Sequence, residues 1–435
     1  MKDQPYTSWG CYPVARNQTA LPLFHRDAPL PPFSGSALPR GQGRSYGDVC
    51  LNPGGQLLTT SQLDRMIHFD PSTGILRCEA GATLAEIIDI ALPHGWFLPV
   101  TPGTRWASVG GAIANDVHGK NHHVAGSFGH HVTQMELLRS DGSHQLLRPG
   151  DDRFAATIGG LGLTGLVTWA ELQLRRVRGP WMESETIRFD DLDEFFALSG
   201  SSAQSHEYTV AWIDCLARGT KLGRGHFIRS DHAKGPRDRA TPANRQKMAI
   251  PFTPPVSLIN PVSLRLFNTA YYWRQLARAK RGFVPYQSYF YPLDGIGRWN
   301  RIYGPRGFLQ HQCVLPPSTA HAATHALLAE ISRSGQGSFL VVLKEFGSLP
   351  SRGMLSFPRP GTTLALDFPN TGAPVFALLD RLDAIVAEAG GTLYPAKDAR
   401  MSPALFKSGY GDRLQYFQSH IDPNFSSAFW RRMTE

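Results

Sequence analysis

The chain has no run of eighteen apolar residues, and its first eighteen, MKDQPYTSWGCYPVARNQ, hold no apolar core of a signal peptide. A bilayer-spanning helix needs about 20 such residues, so neither a membrane span nor a secretory leader is expected. Cysteine is scarce: Cys11, Cys50, Cys78, Cys215 and Cys313 are odd in number, and no two form a C-x-x-C pair. That excludes a disulfide framework and a zinc ribbon, and it suits thiols kept reduced. Charged residues make up only 18% against 42% hydrophobic, a balance that buries a core and excludes a disordered chain.

What charge there is lies unevenly. The chain has 44 Lys and Arg against 35 Asp and Glu, a formal +9. Ten basic residues against the single acid Asp238 fall between Lys234 and Arg281, which equals the whole surplus. Lys234 to Pro261 reads as a loop, and Val262 to Lys280 as a helix mixing Leu264, Phe267, Tyr271, Trp273 and Leu276 with Arg265, Arg274, Arg278 and Lys280. Such a helix can lie on an anionic membrane surface or pack its aromatics on its own domain. Prolines interrupt the stretch and no nucleic-acid-binding module is recognisable, so no nucleic-acid partner is expected.

Glycine and histidine, by contrast, are concentrated. Residues 102–132, PGTRWASVGGAIANDVHGKNHHVAGSFGHHV, hold six glycines and five histidines. Glycine-dense backbone without helical or strand period lets N–H groups approach a ligand closely, most often a phosphate. A second such stretch, Arg40-Gly41-Gln42-Gly43-Arg44-Ser45-Tyr46-Gly47-Asp48, lies roughly sixty residues upstream. Two loops of this kind fit a large cofactor gripped from two sides, such as a flavin dinucleotide. A third, Gly160-Leu161-Gly162-Leu163-Thr164-Gly165, has the spacing of a Rossmann fingerprint, but Leu166 to Leu174 after it reads as a strand where that motif requires a helix.

Around these loops the pattern is mixed. Thr83-Leu84-Ala85-Glu86 is a capping box predicting a helix from Thr83 to Pro93. Ser140-Asp141-Gly142-Ser143 predicts a hairpin turn. After residue 181, two β-α-β-β-α-like runs predict an antiparallel sheet with helices on one side. The expected fold class is α+β with two domains: residues 1–180 completed by 391–435, and residues 181–390 carrying a basic insertion at about 231–282.

Oxidising an alcohol with a flavin needs a group that takes the hydroxyl proton as hydride leaves. Tyr46, His118, Lys120 and Lys397 are candidates, although Lys397 could equally pair with Asp398 on the surface. His118, His122, His123, His130 and His131 could suggest a metal, but Gly119 argues against the helix that would bring two rings to one face, and no metal is expected.

The strings R-G-x-G-R-S-Y-G-D, P-G-T-R and V-G-G-A-I-A-x-D-x-H-G-K-N-H-H resemble the FAD domain of the vanillyl-alcohol oxidase/p-cresol methylhydroxylase superfamily, and within it the branch that oxidises polyprenyl-phosphoryl ribose. The resemblance implies FAD held by Arg40 to Gly47, Gly103, Ser108, Val109, Gly110, Gly111, Asn115, Asp116, Val117 and His118, flanked by Val167 and Tyr394. It implies a substrate site of Lys120, Trp212, Gln310, Gln312, Lys344 and Lys397, with Lys397, His118 and Tyr46 serving catalysis. Where many members carry a flavin-linking histidine this chain has Arg44, which implies noncovalent FAD. Where mycobacterial members read N-I-C-V-D-F-P, it has Thr363-Leu364-Ala365-Leu366-Asp367-Phe368-Pro369.

The implied reaction oxidises the 2-hydroxyl of a ribose linked through phosphate to a polyprenol. A nicotinamide-dependent short-chain reductase would then complete epimerisation to the arabinose form. A cytoplasmic place, or a peripheral one at the inner membrane face, is expected, with a periplasmic one left open. An aldonolactone or alditol oxidase of the same superfamily, or a lipid-sugar-binding flavoprotein without turnover, are the alternatives.

Overall fold

The computed structural model describes residues 6–235 and 248–435. Two sheets carry most of the chain. A five-stranded sheet runs in the order Met66–Asp70, Ile75–Glu79, Leu166–Gln173, Val132–Leu138, His144–Leu147, with every pairing antiparallel. Residues after the third glycine motif thus form a strand, as expected, and the turn at 140–143 joins the hairpin. Beside this sheet a three-stranded parallel sheet of Thr19–Pro22, Gln56–Thr59 and Ala37–Arg40 ends at the first glycine loop.

The helix predicted from Thr83 spans Leu84–Ala91, with Thr83 and Glu86 closing the capping box, and a short 3-10 turn carries it to His94. Its faces bearing Leu84, Ile87 and Ile88 are wholly buried against the five-stranded sheet's core.

The larger sheet has eight antiparallel strands in the order Ala279–Pro285, Trp181–Phe189, Gly225–His232, Tyr208–Ile213, Val341–Phe346, Gly361–Pro369, Phe308–Leu315, Thr392–Leu393. Because side chains alternate along a strand, one face of this sheet is apolar. Leu343, Leu364, Leu366, Phe368 and Cys313 join Leu327, Leu328 and Ile331 of the helix Ala320–Ser334 and Leu378, Leu379, Leu382 and Val386 of the helix Ala373–Glu388 in one core. The opposite face is polar and looks toward the glycine loops.

The basic segment departs from expectation. The helix stops at Trp273, having begun at Pro261, and Ala279–Pro285 becomes an edge strand on Trp181–Phe189. Main-chain pairing displaces helix here: the Arg188 N–H donates to the Arg278 carbonyl at 2.8 Å, and the Gln275 side chain adds a bond from Nε2 to the Thr186 carbonyl at 2.9 Å. Part of the predicted loop, residues 236–247, lies outside the described residues.

The C-terminal stretch also differs in detail. Thr392–Leu393 belongs to the eight-stranded sheet, and only afterwards does the chain return to the N-terminal elements. There Asp422 accepts from Ser140, and Ala37 and Leu51 bond to residues 424–428.

Candidate active site

Between the polar face of the large sheet and the glycine loops lies a cavity of about 810 Å³, within the range of small-molecule sites. Period-two alternation supplies one wall. Gln310 and Gln312, Thr363, Ala365 and Asp367, Val342 and Lys344, and Trp212 all line it. Their registers put Gln310 opposite Asp367, Gln312 opposite Ala365, Lys344 opposite Thr363 and Trp212 opposite Val342. The loop carrying Tyr394 and Lys397 closes one side.

The other wall is glycine-rich. The N–H groups of Gly41 to Ser45 find no acceptor among the described residues, and this stretch lines the cavity. A Cβ at Gly41 would stand 2.1 Å from Ser108 Oγ, so only glycine lets the two loops meet here. Gly43 has φ +61, a left-handed turn beside the Arg40 guanidinium. Ser108 caps the helix Val109–Ala114 through the Gly111 N–H. Among the described residues, Asn115 Oδ1, His118 Nδ1 and the Nε atoms of Arg40 and Arg44 are buried without partners. Buried polar atoms are rarely left so, and donors and acceptors gathered round the cavity fit a dinucleotide's pyrophosphate and ring edges.

Most of the residues expected to bind cofactor line this cavity, Val167, Gly103, Val117 and Tyr394 included. Three do not. Gly47 backs onto the Asp398 carbonyl, where a Cβ would fall at 1.5 Å. Val109 is wholly buried in the core of the five-stranded sheet. Asp116 turns away from the cavity to accept from Ser127 Oγ, Ser356 Oγ and the Gly129 N–H at 2.8, 2.5 and 2.9 Å.

The candidates for chemistry converge. Lys397 does not pair with Asp398, which is held by Arg432 and by the N–H groups of Arg400 and Met401. Its Nζ lies 3.7 Å from the centroid of the Tyr46 ring. Burial lowers the Lys397 pKa, and the nearby Asp367 carboxylate opposes that shift. Asp367 is itself raised by burial, against hydrogen bonds from Gln310 at 2.5 Å and Tyr303 at 3.2 Å and the charge of Lys397. Burial and then Asp367 push the Tyr46 phenol well above its ordinary range.

His118 sits between Phe346, Phe357 and Tyr394, with Nε2 3.1 Å from Gln312 Nε2. Burial, followed by the charges of Lys344, His122 and Lys397, keeps it neutral. Gln312 also donates to Thr363 Oγ at 3.2 Å, so the threonine in the family's asparagine position still anchors that glutamine. Trp212 donates from Nε1 to the Phe339 carbonyl at 2.8 Å.

The other histidines hold loops: His122 Nδ1 accepts from the Gly347 N–H, while His123 and His131 bond to the carbonyls of His206 and Ala125. No cluster of His, Cys, Asp or Glu suited to a metal occurs among the described residues.

Several lining residues had not been singled out for the site. Asp367 shares its strand face with Thr363 and Ala365, a two-residue period readable in T-x-A-x-D. Asp294, which accepts from the Arg105 N–H at 2.9 Å, comes from a segment with no such period.

A cavity of this kind above a glycine-loop wall is that of an FAD-dependent oxidoreductase, and the chain is one: the sequence family described as an FAD binding domain matches residues 34–148. It is 38% identical over 411 residues, 91% of this chain and 88% of the relative, to the decaprenylphosphoryl-beta-D-ribose oxidase of Mycolicibacterium smegmatis. The chain belongs to that oxidase family. A Streptomyces coelicolor protein known from the mprA 5' region is 34% identical across 81% of this chain and 99% of its own length. An alditol oxidase from a Streptomyces species is 30% identical, but over 133 residues, 30% of this chain and 32% of its own.

Proposed function

We propose that this chain oxidises the 2-hydroxyl of a pentose, ribose, joined through phosphate to a polyprenol, giving the 2-keto sugar. The observation that carries the reading is the polar row Gln310, Gln312, Lys344 and Asp367 on one sheet face of the cofactor cavity, with Lys397 brought to it by the loop after Thr392–Leu393. The long alignment to an oxidase named for such a substrate supports it. FAD, when bound, supplies the hydride acceptor. Lys397 in its neutral form takes the hydroxyl proton, the role its lowered pKa suits. Tyr46 presents a ring face to that lysine, and His118, fixed by Gln312, offers a neutral imidazole edge to the sugar.

FAD is held noncovalently in this reading. Arg44 occupies the position of the flavin-linking histidine and stacks its guanidinium 4.6 Å over Trp9. Two domains are built round the two large sheets in this reading, residues 1–180 with 391–435 for FAD and 181–390 for substrate, with Thr392–Leu393 pairing onto the substrate sheet before the chain returns. The keto product calls for a nicotinamide-dependent short-chain reductase that delivers hydride to the opposite face, completing epimerisation to the arabinose form. No helix among the described residues is long and apolar enough to cross a membrane, so contact with a lipid-borne substrate would be peripheral.

Anaerobic mixing with a short-chain polyprenyl-phosphoryl ribose tests the reading. Loss of oxidised-flavin absorbance is expected. A flavin that stays oxidised with that compound but is reduced by a free alditol or lactone would overturn the assignment in favour of a soluble-sugar oxidase.

A further inference from the structure

We propose that Lys120 and Lys344 form a phosphodiester subsite that takes up protons when the anion arrives. The inference rests on the function proposed above for the molecule that bears the anion, and it adds how that molecule is told from a neutral sugar.

Both lysines line the cavity, Lys344 buried and Lys120 half-buried. Lys344, on the strand Val341–Phe346, donates from Nζ to the carbonyl of Gly119 at 2.8 Å. Lys120 is the next residue along; its Nζ donates to the carbonyl of Tyr289 and lies 4.3 Å from the centroid of that ring. The Lys120 carbonyl in turn accepts from the Thr209 N–H at 2.9 Å, which stitches the loop to the large sheet. One lysine of the strand wall and one of the loop wall, linked through Gly119, are thereby held by neutral acceptors.

Neither has a carboxylate partner among the described residues. The acids lining the cavity are otherwise engaged, Asp367 with Gln310, Tyr303 and Lys397, and Asp294 with the Arg105 N–H. The groups that do face the pair are His118, His122 and His123 from the adjoining loop, the Tyr289 phenol and Lys397. None of these carries negative charge near neutrality. Burial lowers both lysines to about 7, and Lys344 feels Lys120 and Lys397 as further positive charge. Buried cations without an internal counter-ion are the expected state of a site whose counter-ion is the ligand. A neutral sugar would leave that charge unmet, whereas a phosphodiester meets it with charge-assisted hydrogen bonds.

The linkage has a definite sign. An anion favours the protonated lysines and raises their pKa, so binding above about pH 7 must draw protons from solvent. Affinity should therefore fall as pH rises through that value, and proton uptake should vanish below about pH 6, where both lysines are already charged. A phosphodiester stays a monoanion throughout, so the dependence belongs to the protein.

The experiment is calorimetry on the FAD-loaded protein with farnesyl-phosphoryl 2-deoxyribose, which lacks the reacting hydroxyl, in two buffers of different ionisation enthalpy. Net proton uptake at pH 8 is expected, with none for the phosphate-free farnesyl deoxyriboside. Lys120→Met and Lys344→Met should each weaken the diester about ten- to hundredfold and reduce the uptake. No proton uptake by the unaltered protein would overturn the proposal without recourse to a variant, as would a double variant of full diester affinity. Equal displacement of the diester by inorganic phosphate would overturn the lipid-linked assignment and leave a free-phosphate site. Flavin reduction by the reactive ribose compound is read separately, so lysine-dependent diester binding without reduction would fail the oxidase reading alone.

Discussion

The Nζ of Lys397 stands 3.7 Å from the centroid of the Tyr46 ring, on the cavity side of a lysine whose neighbour in sequence, Asp398, is bound elsewhere. A ring face favours the charged lysine and burial favours the neutral one. Such a lysine changes protonation at little cost, as a base acting on an alcohol must. Lys397→Ala should lower the rate of flavin reduction about 10² to 10⁴-fold while FAD stays bound. Stopped-flow absorbance after anaerobic mixing measures the rate, and the flavin spectrum of the desalted protein measures retention. An unchanged reduction rate would remove Lys397 from the chemistry.

The Asp367 carboxylate favours the charged form of that lysine, against burial. Removing the carboxylate leaves burial unopposed, so Asp367→Asn should drop the Lys397 pKa further. Because the proposed base is the neutral lysine, the rising limb of kcat/KM against pH should move to lower pH. The substitution is nearly isosteric: Asn Oδ1 can still accept from Gln310, and its amide can donate to Tyr303. A profile that keeps its position while falling in height would assign Asp367 a packing role only.

At the other end of the same loop, Arg432 binds Asp48 with two nitrogens at 2.9 Å and Asp398 at 2.8 Å. It thereby ties the C-terminal helix Ala428–Thr434 to both the first glycine loop and the Lys397 turn. Arg432→Ala leaves two buried carboxylates facing one another, which should cost about 3 to 5 kcal/mol. Burial already raises the Asp48 carboxyl, and Arg432 opposes that. Without the arginine the Asp48 carboxyl would protonate more readily in the folded state than in the unfolded one, so the deficit should shrink as pH falls through the carboxylate range. Urea unfolding at pH 5 and pH 8 measures both; a deficit equal at the two values would contradict the charge argument.

How far the sequence led depends on whether a signal was local. The capping box at Thr83 and Glu86, the turn at 140–143 and the strand after Gly165 are each decided by a few neighbouring residues, and each stands where expected. The two glycine loops and the polar row were readable as motifs, but a motif does not say which way each side chain turns. Within S-V-G-G-A-I-A-N-D, Val109 faces the core and Asp116 faces serines, while Ser108 and Asn115 face the cavity. Asp367 acquires its meaning from Gln310 and Lys397, which arrive from other parts of the chain. The segment after Trp273 is helix-compatible locally and becomes a strand because an unpaired edge, Trp181–Phe189, is within reach.

The basic segment leads to the last prediction. Its helix buries Leu264 and Tyr272 on the body of the protein and leaves Val262, Leu266 and Trp273 exposed, Leu266 at 69%. Met248, Phe252, Val256 and Leu258, just before the helix, are exposed as well. Tyr271 of the same helix and Ala249, next to Met248, line the cavity, so these two segments reach from the exposed apolar side chains to the cavity's wall. Arg265 and Lys280 have no ion-pair partner among the described residues, whereas Arg278 and Arg281 are held by Glu194 and Glu185. An apolar patch with free cations beside a cavity for a lipid-linked sugar suits the headgroup region of an anionic bilayer, each free cation adding about 1 kcal/mol of attraction. Leu266→Glu with Trp273→Glu should therefore reduce cosedimentation with vesicles containing anionic phospholipid, and raised salt should weaken the unaltered protein's binding. Turnover of a soluble short-chain substrate should stay the same in the double variant. Equal vesicle binding by variant and parent would mean that this face does not meet the membrane.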